Sequence, residues 1–124
     1  MARITARDIG LSAVSAWQSG APNRGQLAVA TRYTLELLEQ KAPGHSVEVR
    51  VPPFVAVQVI DGPRHTRGTP PNVIETDADT WLALATGTLT WDDAVAAARV
   101  SASGDRCNHI AQYLPLITTD SQPT

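Results

Sequence analysis

A chain of 124 residues has the length of one domain with one hydrophobic core. Hydrophobic residues at 43% and charged residues at 18% fit a folded globular protein and exclude a disordered one. A net charge of −2, apolar runs well short of the ~20 residues of a membrane span, and a single cysteine speak against nucleic-acid binding, membrane insertion and a disulfide framework.

Met1 to Gly10 carries Arg3, Arg7 and Asp8 and no apolar stretch, so no secretory signal is expected, and a cytoplasmic protein is. Nine of the ten basic residues are arginine and alanine is abundant, a bias of high-GC bacterial genomes. With one Phe and one Met, the core must be built from Val, Leu, Ile, Ala and a few Trp and Tyr. Small side chains of this kind permit a cavity without requiring one.

Thr5, with Asp8 three residues on, predicts a helix start. Ile9, Ala13, Ala16 and Trp17 recur at helical spacing, and Gly20 is the predicted stop. After a linker, Asn23 and Gln26 form a capping-box pair opening a second helix. Its apolar stripe is Leu27, Ala30, Thr34, Leu35, Leu38 and Ala42, and Pro43-Gly44 ends it. Val47, Val49 and Val51 alternate with Glu48 and Arg50, as in a strand with one buried face. Pro52-Pro53 interrupts it. Phe54 to Ile60, apolar except for Gln58, predicts a strand covered on both faces. Asp61-Gly62-Pro63 is a turn, Arg64 to Thr69 a polar strand, and Val73 to Thr76 a short strand. Asp77 caps a helix bearing Trp81, Leu82, Leu84 and Ala85 that stops at Gly87. Thr90 caps another, with Asp92 and Asp93 at the positive end of its dipole and Ala94, Val95, Ala97 and Ala98 continuing it. Val100 and Ala102 mark a last strand. Gly104 turns the chain, and Asp105 caps a closing helix with Ile110, Ala111 and Leu114 inward, ended by Pro115. Strands clustered between helices predict an α+β fold.

Residues that suggest chemistry have plainer explanations. Asp92 and Asp93 are neighbours on a helix and point apart, so they complement the dipole rather than share a proton. His45, His65 and His109 lack metal-ligand spacing. Cys107, Asn108 and His109 follow one another in sequence and do not face each other as nucleophile and base must. No phosphate loop, dinucleotide fingerprint or hydrolase elbow is present. No catalytic residue, metal or cofactor is assigned, and a small hydrolase or isomerase has no constellation behind it.

The run from Asp77-Ala78-Asp79-Thr80-Trp81 through Leu82 to Gly87, Thr90 to Ala98 and Arg99 to Asp105 resembles the signature of the sterol carrier protein family. Arg50-Val51-Pro52-Pro53-Phe54 and Gly62 to Asn72 are similar to its small stand-alone bacterial branch. The resemblance covers about residues 23 to 116. It implies a five-stranded, mostly antiparallel sheet covered by helices on one face, with an apolar tunnel between them that holds fatty acyl chains, sterols or other lipids without covalent chemistry. Residues 1–22 then form an N-terminal helix and linker, residues 23–117 the sterol-carrier-like domain, and residues 118–124 a flexible tail.

On this reading Leu35, Leu38, Phe54, Val57, Trp81, Leu82, Leu84, Val95 and Leu114 are the candidate cavity lining; ordinary core packing is the alternative for each. Arg64, His65 and Arg67, the one basic cluster, are candidates to receive a carboxylate, phosphate or coenzyme A group; an exposed polar strand is the alternative. The expected partner is a fatty acid, acyl-CoA or sterol-like lipid, with at most transient membrane contact. Burying a sixteen-carbon chain is worth about 12–13 kcal/mol gross. Association and ordering cost roughly 4–15 kcal/mol, leaving room for micromolar binding. The second expectation is a domain of the same fold without ligand, serving a separately encoded enzyme as a protein partner.

Overall fold

The computed structural model describes residues 5–62 and 72–118. In chain order they form α1 (Arg7–Gln18), α2 (Arg24–Lys41), β1 (Val47–Val51), β2 (Val55–Val59), β3 (Val73–Thr76), α3 (Ala78–Thr86), α4 (Trp91–Ala96), β4 (Val100–Ser103) and a closing 3₁₀ helix, Cys107–Tyr113. The fold is α+β.

The described strands make one four-stranded sheet in the order β2-β1-β3-β4. β1 runs antiparallel to β2 and β3 antiparallel to β4, while β1 and β3 are parallel, so the sheet is mixed. A fifth strand was expected at Arg64–Thr69, which lies outside the described residues. Register places Val47, Val49 and Val51 opposite Val59, Val57 and Val55, and Val49 beside Ile74, all on one face. That face is buried: Val47, Val49, Val51 and Val59 are at 0% exposure. The opposite face carries Glu48, Arg50, Gln58, Glu75, Ser101 and Ser103. Glu48 and Arg50 pair across it at 2.7 Å. Expected coverage of Phe54–Ile60 on both faces is therefore corrected: Ala56 and Gln58 are exposed, while Val57, Val59 and Ile60 are buried. Methyl and valyl groups suit a pleated surface whether or not a second layer lies over them.

Local signals place most helix ends. The Asn23–Gln26 capping box forms in both directions, at 2.9 and 2.8 Å. Asp77 accepts the Thr80 N–H and the Thr90 hydroxyl oxygen accepts that of Asp93. Gly87 ends α3 at φ 86°, a conformation that costs a side-chain-bearing residue energy. Two predicted caps do not form. Ala6 holds the N-cap of α1 and Arg106 that of the closing helix, both without a side-chain cap bond. α4 also stops at Ala96, short of Ala97 and Ala98, and Ala98 turns left-handed at φ 57°.

One core joins the buried sheet face to the helices. α1 lies on α2 so closely that a Cβ on Gly10 would stand 2.2 Å from the Tyr33 ring. Of the residues expected at helical spacing Ala13 is buried, with Val14 beside it, whereas Ile9 is 57% exposed. No helix of the described residues is long and apolar enough to cross a membrane.

Candidate functional site

The innermost layer lies where α2 and α3 meet the sheet. Leu35, Leu38 and Leu82 are fully buried, Trp81 and Leu84 are at 1%, and Val57 of β2 joins them at 9%. The Trp81 indole must find an acceptor here, because an unpaired N–H in a dry interior costs free energy. Its Nε1–H donates to Thr34 Oγ1 at 2.7 Å, and the Thr34 hydroxyl in turn donates to the Ala30 carbonyl at 2.8 Å. A polar residue on the apolar stripe of α2 thus ties α2 to α3.

Beyond Gly87 the chain folds back across the end of α3. Thr88 and Leu89 donate their N–H groups to the Ala83 carbonyl, and Thr90 then opens α4. Trp91 is buried to 4% exposure and donates its indole N–H to Asn108 Oδ1 at 2.8 Å, fixing α4 to the closing 3₁₀ helix. That helix ends at Leu114 and a cis Leu114-Pro115 bond. Leu116 and Ile117 both donate to the Ala85 carbonyl, at 2.8 and 3.0 Å, returning the chain to α3. The three short helices enclose a notch of about 280 Å³. Leu84, Leu89, Trp91 and Leu114 give it apolar walls, and Thr90 and Asp92 are its polar lining. Leu84 belongs both to the notch and to the inner core.

The predicted lining residues divide accordingly. Leu35, Leu38, Val57, Trp81, Leu82 and Leu84 sit together in the inner layer. Leu84 and Leu114 meet at the notch. Phe54 lies apart at the β1–β2 connection, half-buried beside Pro52 and Pro53 in a hollow of about 340 Å³, with the Arg24 guanidinium 5.5 Å above its ring. Val95 is 46% exposed on α4. Arg64, His65 and Arg67 lie outside the described residues. Leu89 and Trp91 were not among the predicted lining residues. The signal for them was present in Thr90, since a cap there fixes the turn that brings both neighbours to the end of α3. The closing element was read with Ala111 inward; it is exposed, because a 3₁₀ turn rotates side chains by a different step from an α-turn. A larger open groove of about 650 Å³ runs between α1 and α2, lined by Ile9, Ala13 and Val29 with Asp8, Asn23 and Gln26.

Cys107 is 2% exposed, with its thiol 3.2 Å from the Ser103 carbonyl and 3.6 Å from that of Val73. Burial pushes the thiol above its ordinary value. A buried neutral thiol is a poor nucleophile. Among the described residues no group of three His, Cys, Asp or Glu side chains could hold a metal ion.

Residues 23–116 match the family model described as a bacterial SCP ortholog, and α1 precedes the matched span. No curated protein matches the chain.

Proposed function

Because the chain belongs to the sterol carrier protein family, in its small bacterial branch, we propose that it is a non-enzymatic carrier for a lipid with a long acyl or sterol-like body. Membership in this family points in general to lipid binding. The observation that supports a ligand in this chain is the notch between α3, α4 and the closing 3₁₀ helix, whose wall residue Leu84 is also part of the core. An apolar chain entering there passes from Leu89, Trp91 and Leu114 toward Leu84 and the layer of Trp81, Leu82, Leu35, Leu38 and Val57. A chain that continues past Leu84 separates the helix layer from the valine face of the sheet. The free energy comes from burying CH₂ groups at ~0.8 kcal/mol each, against the cost of opening packed contacts. A bilayer offers the same burial, so exchange with membranes runs near balance, as a carrier requires.

Gently purified protein should carry a long-chain lipid detectable by native mass spectrometry and solvent extraction, and should bind a fluorescent fatty acid displaceable by unlabelled lipid. Protein that is empty and ignores every lipid offered sinks the proposal. The second reading, a ligand-free domain serving a separate enzyme, draws support from the closure of the inner layer, where Leu35, Leu38 and Leu82 admit no solvent. One stoichiometric protein partner, co-purifying without lipid, favours that reading.

A further inference from the structure

We infer that the notch selects lipids with an uncharged hydroxyl head over those with a carboxylate or phosphate head, and that Asp92 is the residue that discriminates. The inference rests on the carrier reading above and narrows its ligand class. Of the residues lining the notch, Asp92 alone carries a formal charge. The remainder are apolar, glycine, proline or the Thr90 hydroxyl, so no cation in the lining neutralises an incoming anion. Among the described residues no hydrogen bond or ion pair engages the Asp92 carboxylate. The Thr90 hydroxyl oxygen accepts the Asp93 N–H at 3.1 Å and keeps its own proton. The Trp91 indole N–H is committed to Asn108 at 2.8 Å. The notch therefore offers one negatively charged acceptor, Asp92, with a single neutral hydroxyl as the side-chain donor beside it.

A lipid whose chain fills the apolar part of the notch must leave its head near that carboxylate. A hydroxyl head can donate to it, making a charge-assisted hydrogen bond of the stronger kind. A carboxylate head brings like charge beside like charge, next to apolar walls that weaken dielectric screening. The repulsion should be visible at low ionic strength and shrink as salt is added. α4, six residues long, has its two acidic residues Asp92 and Asp93 in the first turn, so its dipole is already offset and gives the anion no compensation.

The test compares 1-dodecanol and dodecanoate, which share a chain and differ at the head, by competition against a fluorescent lipid at low salt. An alcohol is intrinsically the better hydrophobe, so the informative quantity is the change in the ratio of the two dissociation constants. Asp92→Asn keeps the size of the side chain and removes its charge. It should lower the dodecanoate-to-dodecanol ratio about tenfold, equivalent to about 1.4 kcal/mol, by tightening dodecanoate and weakening dodecanol together. Raising salt on the unmodified protein should move the ratio the same way. Ala111→Trp, which fills the notch from an exposed position, should weaken both ligands. A ratio unmoved by Asp92→Asn, or dodecanol binding unmoved by Ala111→Trp, overturns the inference while leaving the carrier reading intact. Failure of both ligands to bind overturns the carrier reading and this inference with it. Melting curves of both variants establish that they fold.

Discussion

Trp81 and Trp91 use the same device in two different surroundings. Each indole N–H reaches an oxygen on another element, Thr34 at 2.7 Å and Asn108 at 2.8 Å. Around Trp81 the acceptor is itself at 0% exposure and lies in the middle of an 18-residue helix. Around Trp91 the acceptor is an exposed residue, α4 has six residues, and the element it meets is a 3₁₀ helix. Water can replace Asn108 and cannot replace Thr34. Identical bonds thus hold a fixed layer at one place and a separable corner at the other. Short helices with solvent-reachable bonds belong to the low-stability end of a fold, where opening is cheapest.

Four measurements bear on this contrast. Trp81→Ala should cost about 3–5 kcal/mol in chemical unfolding, because the neighbours of a fully buried indole cannot collapse into its volume. A cost near 1 kcal/mol would mean that the inner layer is as yielding as the corner. Thr34→Val, which keeps the shape and removes the acceptor, should cost roughly 1–3 kcal/mol by leaving the Trp81 N–H unpaired in the interior.

The third measurement concerns the one tightly buried ionisable group of the corner. Because burial raises the Cys107 pKa above its ordinary 9.0, the folded state holds this proton after the unfolded chain has lost it. Its contribution is fully present below that ordinary value and is lost as pH rises through the folded value. Stability should therefore fall as pH rises above the ordinary thiol value, a slope that Cys107→Ala flattens; equal slopes in the two proteins would show that the corner admits water at the thiol. Last and smallest, Asn108→Ala should change stability by no more than about 0.5 kcal/mol, since water takes over the Trp91 N–H. A loss as large as that of Thr34→Val would erase the distinction between the two regions.

What could be read from the chain was local. Asn23 with Gln26, Asp77, Thr90 and Gly87 each act on a backbone group within a few residues, and each marks an end that the structure keeps. The inner layer was also legible, since Leu35 and Leu38 on one stripe and Trp81, Leu82 and Leu84 on another are large side chains with mainly apolar surface to bury. The failures share a cause in long-range geometry. Nothing in Val47–Val51 says that its neighbour in the sheet is β3, parallel and some twenty-five residues on. Whether Ala56 and Gln58 face a second layer depends on what the rest of the chain places there. The notch joins residues from three elements, and Asp105 lost its capping role because Arg106 took the position through a bond to Asn72.

That bond has a practical consequence. Asn72, 1% exposed, donates its amide to the Ser46 carbonyl at 2.8 Å and accepts the Arg106 N–H at 2.9 Å. The Arg106 side chain lies over Gly62, where an added Cβ would stand 2.8 Å from Nη2, and donates to the Asp61 carbonyl at 3.3 Å. The two positions that bracket residues 63–71 are therefore clamped to the same arginine, from opposite sides. Replacing Arg106 by alanine removes the hold on Asp61, which the side chain makes, and leaves the one on Asn72, which the backbone N–H makes.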